Sequence, residues 1–168
     1  MAFALRLLFL LYGICGLISG CWSYPTSYAK NNDCPKGWTQ LDCHCYIFED
    51  EARAFADAEA VCNILGGNLV SIHNELENAL VLELIRAGGE TEEAWIGLHD
   101  AIQNGDYIWT DGSDQTFLNF DAMDSEPNAM TGDCVVIDED DGLWETNACA
   151  DTNENVYVCI KEVQRAHH

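Results

Sequence analysis

The chain has 168 residues, 48% of them apolar and 10% aromatic, which suffices for one core of ordinary size and excludes a disordered tail or a fibrous repeat. Acidic side chains outnumber basic ones 29 to 7, for a formal net charge of −22. Such a surface repels phosphate backbones and anionic lipid, so nucleic-acid binding is excluded; a hard cation such as calcium, which takes about six to eight oxygens, is the partner that carboxylates suit.

Residues 1–20 carry one charged side chain, Arg6, then apolar runs at 7–11 and 14–18, and end in the small residues Ser19 and Gly20. This is the pattern of a secretory signal peptide, and the uninterrupted apolar length falls short of the ~20 residues that cross a bilayer. The expectation is a secreted, extracellular protein with no membrane insertion. Loss of this segment takes Cys15 from the nine cysteines and leaves eight. In an oxidising compartment they read as a disulfide framework, whose pairing the sequence leaves open. Cys43, His44 and Cys45 lie side by side but lack the second ligand pair of a structural zinc site. Residues 21–33 form a polar arm, 34–162 run without a linker or repeat, and 163–168 form a tail.

Tyr46, Ile47 and Phe48 make a short apolar run suited to a buried strand. Phe55, Ala58, Cys62 and Leu65 then recur at helical spacing, with Arg53, Asp57 and Glu59 on the outer face and Gly66-Gly67 as the stop. A second helix starts at Asn74, with Glu77 three residues on as in a capping box, and ends at Gly88-Gly89. Its apolar positions Leu76, Ala79, Leu80, Val81, Leu84 and Ile85 predict a broad, largely buried face. After Ala94 the pattern changes to short apolar runs at 95–98, 107–109, 134–137 and 156–160, separated by Gly, Asp, Asn and Ser, which read as strands. Two helices followed by twisted short antiparallel strands predict an α+β fold.

Residues 110–132 have little periodicity, and a stretch that long inside a compact domain points to a functional loop. Phe117, Phe120 and Pro127, with Trp109 at its root, are the expected internal anchors. The acidic run 138–142 lacks the alternation of a helix-flanked calcium loop and ends in Asp-Gly, so it reads as a hairpin turn. Trp95, Trp109 and Trp144 have apolar neighbours and are expected in the core rather than stacked on a ligand.

No catalytic constellation is present: there is no zinc-protease histidine pair, no nucleophile elbow and no phosphate-cradling glycine loop. His44, His73 and His99 stand alone in sequence, and the chain reads as a non-enzyme. The feature that carries chemistry is Glu126-Pro127-Asn128 in the long loop. A carboxylate and an amide flank a proline, and if the Glu126–Pro127 bond is cis both oxygens point the same way. Both are calcium ligands with capacity left for a sugar hydroxyl, the carboxylate accepting and the amide NH2 donating.

Together with Cys34-Pro35, Trp38, Cys45-Tyr46-Ile47-Phe48, Cys62, Trp95-Ile96-Gly97-Leu98, Cys134, Trp144, Cys149 and Cys159, this motif resembles the C-type lectin-like domain over residues 34–162. The resemblance is to the secreted single-domain form known from fish, whose type II antifreeze proteins share the fold. It implies a double-loop domain stapled by Cys34–Cys45, Cys62–Cys159 and Cys134–Cys149. Cys21 and Cys43 are left to pair with each other or to link chains into a disulfide-bonded homo-oligomer. It also implies calcium and glycan on the long loop, with the Glu-Pro-Asn form associated with mannose-type sugars.

Carried over position by position, the resemblance places the principal calcium on Glu126 and Asn128, with Glu145 as third ligand. An auxiliary calcium would lie at Asp100, Asn104 and Asp133. Glu126, Asn128 and Glu145 would also meet the sugar. Several positions depart from the family pattern. Gly132 stands where a glutamate ligand is usual, Thr146 stands for an aspartate, Asn104 replaces an acid and Ala129 replaces an Asp or Asn. The expectation is a weakened calcium site and a calcium-dependent lectin for mannose-type glycans. The alternatives are a calcium-independent protein-binding module and an ice-binding protein.

Overall fold

The computed structural model describes residues 34–89, 93–128 and 130–164. The signal segment 1–20, the arm with Cys21, Ala129 and residues 165–168 lie outside the described residues. In chain order the elements are β1 (Thr39–Leu41), β2 (His44–Arg53), α1 (Phe55–Ile64), β3 (Asn68–Leu69), α2 (Glu75–Gly88), β4 (Glu93–His99), β5 (Ile108–Trp109), β6 (Cys134–Asp138), β7 (Trp144–Asn147) and β8 (Asn155–Glu162). The strands form one sheet in the order β1-β2-β8-β4-β6-β7, with β3 on β8 and β5 on β4.

The sheet is mixed rather than wholly antiparallel: β4 runs parallel to β8, pairing Ala94 with Val156 and Trp95 with Tyr157. Side chains alternate across a strand, so each strand feeds two cores. Ile96, Leu98, Val135, Ile137, Val158 and Ile160 pack on one face with Val81 and Ile85 of α2. Trp95, Val136, Tyr157 and Cys159 pack on the other with Phe55, Ala58 and Cys62 of α1. Burial on both faces is why the sequence of these strands reads as unbroken apolar runs. Trp95, Trp109 and Trp144 are all buried.

Four further expectations change on contact with the structure. The α2 face is narrower than its apolar content implies: Leu76 is 62% exposed and Ala79 is exposed, while the buried positions are Asn78, Val81 and Ile85. Arg53 ends β2 instead of starting the α1 outer face. Glu59 turns from solvent to accept hydrogen bonds from the Asn68 side chain and the Leu69 N–H, tying α1 to β3. Pro127 is exposed and anchors nothing, whereas Phe117, Phe120 and Trp109 all meet the Trp144 ring edge-on at 5.6, 5.9 and 5.7 Å.

Bridges join Cys34 to Cys45, Cys62 to Cys159 and Cys134 to Cys149. Cys43 is disulfide-bonded as well. The acidic run closes the β6–β7 hairpin, with Ile137 paired to Trp144, and Arg86 of α2 caps it by donating to the Glu139 and Asp140 carbonyls at 3.0 and 2.7 Å. Among the described residues no helix is long and apolar enough to cross a membrane.

Candidate functional site

The long loop is fastened first by its backbone. Trp144 N–H donates to the Asn119 carbonyl at 2.9 Å and Asp121 N–H to the Trp144 carbonyl at 3.0 Å, so the loop runs beside β7. Glu126 N–H then donates to the Asp121 carbonyl at 3.0 Å, and the Glu126–Pro127 bond is cis. This brings Glu126 and Asn128 to the start of the next turn as half-buried neighbours.

Strand alternation decides what they meet. Trp144 and Thr146 point inward while Glu145 and Asn147 are half-buried on the other side. Glu126 Oε2 accepts from Asn128 N–H at 2.9 Å, Thr146 N–H at 2.9 Å and the Thr146 hydroxyl at 2.5 Å. The Asn128 carbonyl accepts from Thr131 N–H at 3.0 Å and the Thr131 hydroxyl at 2.7 Å, and the Thr131 and Thr146 hydroxyls touch. The Asn128 side-chain oxygen accepts from Met130 N–H at 3.1 Å. Glu126 is thus held to Thr146, which is 6% exposed.

Glu145 stands elsewhere. Its carboxylate shares a cluster with Asp121 and Asp124, ligand oxygens lying within 4.8 Å of one another. Burial, followed by the nearby charges of Glu93, Asp138, Glu126 and Asp124, pushes its carboxyl above the usual range.

The auxiliary group is built differently. Asp100 is 2% exposed; its Oδ2 accepts from Gly105 N–H at 2.7 Å, and its N–H donates to the Asp133 carbonyl at 2.9 Å. Its other oxygen, Oδ1, is buried without a hydrogen-bond partner. Asn104 lies exposed in the turn before Gly105. Tyr107 sits within the field of Asp100, Glu126 and Asp133. Burial first, and then those three charges, push its phenol to about 12.

These donor sets suit calcium unequally. A buried carboxylate oxygen without a donor is costly, and a hard cation would satisfy Asp100 Oδ1. The Glu126 end is less open. Three donors already fill Oε2 there, which leaves only Oε1 to an ion. Nor does Gly132 leave room for the missing glutamate: a Cβ there would lie 2.2 Å from the Asn147 carbonyl oxygen and 2.4 Å from Ala148 N.

Residues that sequence reasoning did not single out include Thr131, Tyr107, Asp121 and Asp124. Thr131 and the two aspartates fall in the long loop, which was their only signal, and Tyr107 lies just before it.

Residues 51–161 match the family model described as the Lectin C-type domain. The chain belongs to the C-type lectin family. Its relatives include the galactose-specific lectin nattectin of Thalassophryne nattereri, 33% identical over 133 residues, covering 79% of this chain and 82% of that protein. Ladderlectin of Oncorhynchus mykiss is 34% identical over 127 residues, covering 73% of this chain and 66% of that protein. Among solved structures, human lithostathine superposes with a TM-score of 0.71 at 29% identity, covering 77% of this chain and 99% of that one. A calcium-independent type II antifreeze protein superposes with a TM-score of 0.70 at 26% identity, covering 79% and 96%. C-type lectins are carbohydrate-binding proteins and not enzymes.

Proposed function

We propose that this chain is a secreted lectin that binds glycans, mannose-type sugars first among them, at the rim formed by Glu126 and Asn128. The observation that carries the reading is the Glu126–Asn128 pair itself. The two side chains are half-buried neighbours on a loop fixed from beneath by Trp144, Phe117 and Phe120. A sugar diol needs an acceptor and a donor side by side, and a carboxylate next to an amide supplies them. Calcium enters on the Asp100, Asn104 and Asp133 side, where it would neutralise a buried carboxylate and stiffen the base of the loop. A single shallow site of this kind binds weakly, so useful avidity needs several copies.

The test is the melting temperature of the mature protein in EDTA, then in millimolar calcium, then in calcium with mannose or with galactose. A ligand that binds only the folded state raises the midpoint by mass action. A rise with calcium and a further rise with mannose are expected. A rise with galactose alone would keep the lectin and change its sugar. No rise with either sugar would remove the lectin reading.

A second reading is favoured by the three hydrogen bonds that Glu126 Oε2 accepts and by the likeness to a calcium-independent antifreeze protein. It is a calcium-independent module for a protein surface or ice. Thermal hysteresis in the absence of calcium would identify the ice binder.

A further inference from the structure

We propose that Thr146 is the positioning residue that closes the Glu126–Asn128 loop in place of a metal ion, so that this pair keeps its shape without calcium. Its bearing on sugar rests on the lectin reading above; its bearing on metal stands without it.

The argument starts from charge. Glu126 Oε2 is an anionic oxygen, half-buried, and something must offset its lost hydration. It receives three donors, two backbone N–H groups and one hydroxyl, which is the pattern that stabilises a carboxylate without a cation. Thr146 contributes two of the three. The Thr146 hydroxyl lies 2.5 Å from Glu126 Oε2 and 3.0 Å from the Asn128 carbonyl, and it touches the Thr131 hydroxyl, itself 2.7 Å from that carbonyl, so two hydroxyl protons are shared among these oxygens. Both ends of the Glu126-Pro127-Asn128 turn are therefore tied to one buried threonine.

A carboxylate at 146 would reverse this. Two anions would face each other with no proton between them, and the loop would close only around a cation. The second departure acts in the same direction. At Gly132 the backbone of Asn147 and Ala148 occupies the space a ligand side chain would need. One residue removes a charge and supplies a donor, while the other removes a charge and lets the end of β7 pack in. Neither change would serve a loop that waits for an ion.

The experiment uses the mature, disulfide-bonded protein titrated with calcium chloride in a calorimeter, with melting followed in parallel. Thr146→Asp should melt lower than the wild type in EDTA. It should gain one calcium site per chain that the wild type lacks, and Glu126→Gln in that background should abolish the gained site. In the wild type, Glu126→Gln should leave the calcium-induced rise in melting temperature unchanged, since the ion that produces it sits at Asp100. On mannose-agarose, Thr146→Val should lose retention on the order of tenfold, as expected for removing a donor to a charged group, and Thr146→Ser should restore it. The serine rescue separates the hydroxyl's role from simple packing.

If Glu126→Gln removes the calcium response of the wild type, the ion sits on Glu126 and the proposal is overturned. It is overturned equally if Thr146→Asp gains no calcium site that depends on Glu126. If no variant binds mannose-agarose under any condition, the lectin reading fails while the calcium titrations still decide the part played by Thr146.

Discussion

Asn78 occupies a position in α2 where the helical spacing calls for an apolar side chain, and it is buried there with Val81 and Ile85. Its amide explains the exception: Oδ1 accepts from the Trp144 indole N–H at 2.8 Å, and Nδ2 donates to the Gly142 carbonyl at 3.0 Å. Trp144 in turn carries the ring contacts that hold the long loop. Asn78→Ala leaves the indole N–H buried without an acceptor, while Gly142 keeps the donor supplied by Asn119. The expected loss is about 2 kcal/mol of unfolding free energy, measured by urea denaturation. A loss within experimental error would mean that water takes over the amide's role. The same single-residue logic limits what sequence reading could reach at the site. That Thr146 lacks a carboxylate was legible; that its hydroxyl grips Glu126, twenty positions away in the chain, was not. Gly132 likewise read as a missing ligand, and its packing against the Asn147 carbonyl only appears in three dimensions.

Helix α2 begins as its sequence announces, with one change of detail. The Asn74 side chain accepts from Leu76 and Glu77 N–H, both at 3.0 Å, and Glu77 reaches back one residue further, to His73 N–H at 2.7 Å. Asn74→Ala removes the acceptor from the first turn and should lower unfolding free energy by about 1 kcal/mol. Asn74→Ser should recover most of it, which thermal denaturation of the pair would show. Other elements were legible to different degrees for physical reasons. Strands β4, β6 and β8 were found as unbroken apolar runs because both their faces are covered. Strands β1 and β3 were missed because three and two residues carry no period. In β7 only Trp144 is apolar, so the alternation that turns Thr146 inward and Glu145 outward is invisible without its partner β6. The breadth of the α2 face was overstated because apolar content was counted where direction decides: Leu76 points away from Ile85, nine positions on.

Across the whole molecule the imbalance of charge has a titratable consequence. No lysine or arginine lies between Arg86 and Lys161, so the long loop and the β6–β7 hairpin are acidic without internal relief. Glu145 registers this: burial first, and then its acidic neighbours, raise its carboxyl above the ordinary 4.5. Glu49 is raised for the same leading reason, with Asp50 next. A carboxyl whose pKa is higher in the folded than in the unfolded chain contributes stability below the unfolded value, and that contribution is lost as pH rises through the folded one. His99 works in the opposite sense. Burial lowers its pKa, so its contribution holds above 6.5 and is lost as pH falls through its folded value. A single melting curve against pH therefore mixes the two, and the difference between wild type and Glu145→Gln isolates one. The glutamine variant should melt higher than the wild type at neutral pH, since it removes a charge from a crowded acidic cluster. The gap should narrow as pH falls toward 4.5 and the wild-type carboxyl takes up its proton, and added salt should narrow it at neutral pH by screening the same neighbours. A gap independent of pH would show that the glutamine acts through packing, and that the acidity of this face is carried by solvent without strain on the fold.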